Sequence, residues 1–269
     1  MTKVNPAISG ITIYPIKSLD GVSLQKAQIT EGGCLLHDRE YAMSDAEGNF
    51  IIGKSNSLVH TLRSSIDFEN QVVSFRHQQE STWSHFNLVK NITDIQDYLS
   101  AHFGIAVILN QNKTGRFMDI PDISGLTILS TESLQIISGW FGNMPLEETR
   151  KRFRATLEIT GVPAFWEDHL FSSEGSGIEY KVGNVTLFGM SPRARCVVPT
   201  RNPDTGEVIH GFPKSFARHR AQTLPEFSKL KEYGHHYHLT VNCYAPATEI
   251  GKWINVGDKI ELVGERIFY

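Results

Sequence analysis

The chain has 269 residues, 40% of them hydrophobic and 20% charged, with a formal net charge of −3 at pH 7. That length can bury one large core or two smaller ones, and the composition is that of an ordinary soluble globular protein. It lacks the basic excess of a duplex binder, a run of about 18 apolar residues suited to a membrane span, and the basic-then-apolar layout of a signal peptide at MTKVNPAISGITIYPIKS. Cys34, Cys196 and Cys243 are few, odd in number and widely spaced. They form no disulfide framework, no CxxC pair supports a zinc or iron–sulfur site, and the expected setting is a reducing cytoplasm.

In chain order, ISGITIYPIKS alternates β-branched and aromatic residues and reads as a strand running into a turn. REYAMSDAEGNFIIG reads as a hairpin about Asp45–Gly48. Inside it, GNFIIGKS satisfies the G-x-x-x-x-G-K-[ST] phosphate-loop pattern. Its middle residues, Asn49 to Ile52, prefer to be extended, and its first glycine sits in a turn, so we reject a nucleotide site there. QVVSFRH is a short strand. NITDIQDYLSAHFG predicts a helix: Thr93 and Gln96 have capping-box spacing, Ile95, Tyr98, Leu99 and Phe103 share a face, and Gly104 ends it.

The polar segment NQNKTGRFMDIPDISG, broken by Gly and Pro, reads as a connection between two halves. A second helix, STESLQIISGWFG, follows it. Then come strand-like stretches: ATLEITG, IEYKVGNVTLFGM, ARCVVPT, HHYHLTVNCYA and WINVGDKIELVGE. Short strands closed by Gly-Asn or Gly-Asp turns favour a mainly β (α+β), barrel-like architecture with few helices over a doubly wound fold. We place the two domains at residues 1–118 and 119–269.

The stretch with most chemistry is SPRARCVVPTRNPDTGE, where Arg193 and Arg195 precede Cys196. Guanidinium groups beside a thiol favour the thiolate, the form that attacks or ligates, and a soft thiolate suits a soft or high-valent metal. A cysteine that merely packs is the competing reading. In KRFRATLEITG, Arg152 and Arg154 share a face if the segment is extended, as an anion clamp or a charged edge strand. Lys17 and Ser18 at a strand end form a donor pair or an exposed turn. In GHHYH, alternation brings His236 and His238 together. With no third ligand at sensible spacing, we read them as strand histidines rather than a metal site. Neither G-x-S-x-G nor H-E-x-x-H occurs, so hydrolase and zincin readings lack a motif.

Taken together, YPIKSLDGVSLQKAQIT…HDREYAMSDAEGNFI resembles the N-terminal β-barrel domain that precedes MOSC domains. KRFRATLEITG…VGNVTLFGMSPRARCVVPTRNPDTGEV…INVGDKIELVG resembles the MOSC domain itself. The arrangement is most similar to the amidoxime-reducing and N-hydroxylated-base-reducing members of that family. The resemblance implies a molybdenum cofactor (a Mo-pterin), with Cys196 as protein ligand to the metal. It further implies Lys17, Ser18, Arg39, Ser124, Arg152 and Arg154 as pterin contacts, and Asp204 near the metal, where it would shuttle a proton. Three positions depart from the family: Ile123, Thr156 and Ala194 replace threonine, asparagine and serine. The implied activity is reduction of small N-hydroxylated compounds. Because no four-cysteine ferredoxin domain is appended, a separate electron-donor protein of ferredoxin, flavodoxin or cytochrome type is expected. The alternative is a non-catalytic carrier of the cofactor, or of sulfur on the Cys196 thiol.

Overall fold

The first strand forms where the alternation predicts it. In a computed structural model that describes residues 4–114, 116–120 and 125–268, β1 (Ala7–Ile13) buries Ile8, Ile11 and Ile13. The chain continues through β2 (Val22–Leu24), β3 (Lys26–Gln28), β4 (Tyr41–Ser44), β5 (Leu62–Asp67), β6 (Val72–His77) and β7 (Ser84–Asn87) to helix α1 (Ile92–Phe103). After β8 (Ile108–Gln111) and β9 (Leu126–Ser130) come α2 (Thr131–Trp140), α3 (Leu146–Phe153) and β10 (Leu157–Thr160). The remainder is β11 (Ser176–Val182), β12 (Val185–Ala194), α4 (Phe212–Gln222), β13 (His238–Tyr244), β14 (Trp253–Asn255) and β15 (Ile260–Ile267).

Eight strands join in one mixed sheet, in the order β15-β11-β12-β13-β9-β10-β1-β2, with β9 and β10 the parallel pair. Three small sheets, β14-β3, β4-β8 and β5-β6-β7, complete a mainly β, α+β fold. Apolar side chains gather in three clusters. One lies on the large sheet, one lies between α1 and β4–β8, and the third is an aromatic group holding α2, α3 and α4 against the sheet. Among the described residues no helix is long and apolar enough to cross a membrane.

The register of the large sheet sets out a polar row. Ser191 of β12 faces Asn242 of β13, Asn242 faces Thr127 of β9, and the Thr127 amide donates to Thr156 Oγ1 at 2.8 Å. The Thr12 amide of β1 then donates to the Thr156 carbonyl at 2.9 Å. Four strands, together with Thr156 just ahead of β10, thus carry a band of hydroxyl and amide groups through a sheet that is otherwise packed with aliphatic side chains.

Three local expectations change. The hairpin at 39–53 keeps its Asp45–Gly48 turn, but the returning strand shrinks to one bridge, Ser44 to Phe50, while β4 also pairs with distant β8. Helix α1 starts at Ile92 with Asn91, rather than Thr93, at its N-cap position. Gln96 accepts from the Leu109 amide at 3.0 Å, while Gly104 (φ 68°) ends the helix as expected. Arg152 and Arg154 are not on an extended strand. The upstream PLEET sequence places Glu147 and Glu148 in the first turn of α3 and Arg150, Lys151 and Arg152 in its last, the arrangement that complements a helix dipole.

Candidate functional site

Three chain segments leave the large sheet near its polar row: the turn after β1, the end of α3, and the loop after β12. Together with segments 52–63 and 117–120 they enclose a cavity of about 1080 Å³. Twelve lysine or arginine residues line it against four carboxylates, so its wall is strongly cationic in a chain whose net charge is −3. Such concavities concentrate anions.

Cys196 lines this cavity as a free, partly exposed thiol, whereas Cys34 and Cys243 are buried. Its loop is pinned from several sides. The Tyr237 hydroxyl donates to the Cys196 carbonyl at 3.1 Å, and the Arg195 amide donates to the Tyr237 carbonyl at 3.0 Å. Arg195 Nη2 donates to the Phe153 carbonyl at 2.9 Å, and Arg152 Nη1 to the Pro199 carbonyl at 2.8 Å. Burial, with repulsion from Arg193, pulls Arg195 down to about 10.

Lys17, Ser18, Arg39, Arg152 and Arg154, named from sequence, all line the same cavity. Three of them occupy the left-handed backbone region, Ser18 at φ 74°, Arg39 at φ 49° and Arg154 at φ 52°. Each such residue costs roughly 1–3 kcal/mol and persists only where its surroundings impose it, which is a frequent condition at binding sites. Arg154 caps α3 in that conformation and its guanidinium lies 4.0 Å from the Tyr14 ring centre, with Arg39 at 4.7 Å from the same ring. Burial lowers the Arg154 pKa, so its charge is held at a cost.

Most of the other cations are already neutralised. Arg39 bonds buried Asp38, and Arg152 is chelated by Glu148 at 2.6 and 3.0 Å. Lys17 Nζ donates to Asp119 and to the Phe117 carbonyl, both at 2.7 Å, and Arg193 reaches the other oxygen of Asp119 at 2.8 Å. Burial pushes Asp119 up, but Lys17 and then Arg193 outweigh it and hold the carboxyl well below its ordinary value.

The structure does not bring Asp204 to the cavity wall. One of its oxygens accepts from Arg63 Nη1 at 2.6 Å and Lys151 Nζ at 3.0 Å, and the other from Lys151 at 3.2 Å. Ser124 and Ile123 lie outside the described residues. Thr156 and Ala194 do line the cavity, and Thr156 is committed to the polar row with Thr127. Asp119, Arg63, His60 and Arg201 escaped the sequence reading. Arg201 stands in the stretch that holds Cys196, but the others carry no local signal.

Among the described residues no three His, Cys, Asp or Glu side chains are placed to hold a metal ion. The pair that meets in GHHYH is His235 with His238, stacked at 4.3 Å, rather than His236 with His238. Burial and the neighbouring histidines pull His238 down to about 4, so it is neutral at physiological pH. A metal at Cys196 would therefore take its other ligands from the group carrying it. The donor set fits such a group: one accessible thiol, a cationic wall, and hydroxyls and an amide along one side suit an anionic, hydrogen-bonding ligand.

Residues 5–103 match the MOSC N-terminal beta barrel domain. Mitochondrial amidoxime-reducing component 1 of Homo sapiens is 23% identical over 309 residues, spanning 96% of this chain and 83% of the relative. The YuaD protein of Bacillus subtilis overlays 96% of this chain with 95% of its own, at 13% identity and a TM-score of 0.39. YiiM of Geobacillus stearothermophilus overlays 52% with 54%, at 15% identity and a TM-score of 0.29. The chain thus carries a match to the MOSC N-terminal domain at its start and, over most of its length, is a weak relative of an amidoxime-reducing component.

Proposed function

We propose that this chain is a molybdenum-cofactor-binding oxidoreductase that reduces N-hydroxylated compounds with electrons from a separate redox protein. The observation that carries the reading is a free, accessible Cys196 thiol in a cavity with a large cationic excess, three of whose basic or hydroxyl residues are held in strained backbone. In balanced form the reaction is R–NHOH + 2 e⁻ + 2 H⁺ → R–NH₂ + H₂O. When bound, a molybdenum pterin would supply the two-electron chemistry that the side chains of this protein lack.

The chain's own part is to bind and orient. Cys196 would ligate the metal, and Lys17, Ser18, Arg39 and Arg154 would surround the anionic pterin, with Ser124 included from the resemblance. Arg152 serves by bonding the Pro199 carbonyl, which fixes the loop that presents the thiol. Asp204, engaged by Arg63 and Lys151, enters as a holder of that loop's far end rather than as a proton relay. In this reading residues 1–118 supply Lys17, Ser18 and Arg39, and residues 119–269 supply the thiol and Arg154.

The test measures molybdenum and pterin in protein purified from a host that makes the cofactor, beside Cys196→Ala. It also follows phenylhydroxylamine reduction by the chemically reduced protein. Expected are stoichiometric molybdenum, its loss in the variant at the melting temperature of the cofactor-free wild type, and turnover by the wild type alone. Full metal in Cys196→Ala would overturn the ligand assignment. Metal without turnover would favour the carrier reading.

A further inference from the structure

Among the described residues four cavity cations, Lys54, Arg76, Arg195 and Arg201, form no ion pair with a carboxylate and lie outside the proposed cofactor contacts, and Arg201 is the one carried by the loop that follows Cys196. Arg201 stands five residues past Cys196, opposite Val208 in a single bridge, and its side chain lines the cavity. Its Nε is buried without a hydrogen-bond partner among the described residues. An unpartnered buried donor of this kind costs about 1–3 kcal/mol, more when charged, and here it stands beside an open cavity in which a ligand would offset that cost.

The surroundings give it a defined seat. A Cβ at Gly53 would lie 3.1 Å from His60 Nε2 and 3.8 Å from Val198 Cγ2, and one at Gly206 would lie 3.5 Å from His60 Cβ. The loop carrying Arg201 is therefore packed against residues 53–60. Arg63 locks it there, donating to the Pro203 carbonyl at 3.1 Å and to Asp204 at 2.6 Å. The same contacts direct Asp204, three residues past Arg201 in the chain, toward Arg63 and Lys151. The cluster about Tyr14, with Arg39 and Arg154, lies on other elements, and about 1080 Å³ is at the upper end of single-ligand pockets, which run to roughly 1,000 Å³.

We infer that Arg201 is a specificity-determining subsite that receives an anionic oxygen group, a carboxylate or phosphate, carried by the substrate. A guanidinium offers two parallel N–H donors to such a group. This inference rests on the reductase reading above. The preferred substrates are then N-hydroxylated compounds with an anionic group, rather than neutral or cationic ones.

The experiment compares 4-carboxyphenylhydroxylamine with phenylhydroxylamine as substrates of the holoenzyme, its Arg201→Gln variant and its Arg201→Lys variant, with molybdenum content measured in each. Expected is a rise in KM of about tenfold or more for the carboxylate substrate in Arg201→Gln, partial recovery in Arg201→Lys, and no change for the neutral substrate. Equal effects on both substrates, or loss of molybdenum in Arg201→Gln, would overturn the inference, the latter by assigning Arg201 to the cofactor. If the wild type reduces neither compound, the reductase reading fails. The subsite is then judged by inorganic phosphate binding, which Arg201→Gln weakens if the site exists and leaves unchanged if it does not.

Discussion

Charge is buried in two places in this molecule, under opposite conditions. Around Cys196, cations outnumber carboxylates three to one on the wall of a large cavity. Beneath α2 and α4, Glu167, Asp168 and Arg220 are enclosed by aromatic and aliphatic side chains, with Arg220 Nη2 2.5 Å from Asp168 and its guanidinium 4.0 Å from the Phe165 ring centre. Both regions leave donors or acceptors unsatisfied: Arg201 Nε and Arg195 Nε in the first, and Glu167 Oε1 and Arg220 Nε in the second. Burial and missing partners therefore do not by themselves mark a site. What separates the two is an open volume beside the unmatched charge, and the sign of that charge.

The largest effect expected from this contrast lies in the closed cluster. Asp168→Ala leaves Arg220, only 2% exposed, without its carboxylate and should destabilise the protein by about 3–5 kcal/mol, as breaking a buried pair does. Urea unfolding measures it. If the proposed cofactor binds, variants that still fold should retain it as the wild type does, and a parallel loss would mean that the two regions are coupled.

Glu167 gives the next effect. Burial, with Asp168 beside it, raises its carboxyl to about 7. A folded pKa above the unfolded one contributes stability in full below about pH 4.5 and loses it as pH rises through 7. The shift corresponds to about 3 kcal/mol. Glu167→Gln, retaining the 2.9 Å bond from Ser130, should unfold with a midpoint that changes less between pH 5 and pH 8 than the wild type's. Parallel wild-type and variant pH profiles would show that Glu167 does not titrate in this window.

How far each region was legible follows from what a local segment can carry. Alternation in ISGITIY placed β1, and the Gly-Asn turn joining β11 to β12 stands where the sequence puts it. The motif about Cys196 marked the thiol, and the basic residues carried over with it line one cavity. Their carboxylate partners were not legible. Asp119 meets Lys17 across about a hundred residues, and Arg63 meets Asp204 across more. KRFR misled because reading began at Lys151, after the acidic turn that makes the segment a helix. The closed cluster left no motif, since Glu167 and Arg220 are joined to it only by tertiary packing.

The smallest expected change in stability is the one that separates the regions most sharply. Arg154 is held in left-handed backbone with burial opposing its charge, and its side chain stacks on Tyr14 with no carboxylate ion-paired to it among the described residues. Arg154→Gln removes a charge that folding disfavours, at the loss of a stacking contact worth roughly 0.5–2 kcal/mol. Those terms oppose each other, so the urea midpoint should shift by less than about 1 kcal/mol in either direction. Binding should behave otherwise. If this guanidinium is held for an anionic ligand, retention of the cofactor through gel filtration should fall about tenfold, since a charge-assisted hydrogen bond contributes roughly 1.5–3 kcal/mol. A variant that loses several kcal/mol of stability while keeping its cofactor would place Arg154 with Arg220, as a structural cation. Near-neutral stability with weakened retention would instead mark a wall built for its ligand at some expense to the fold.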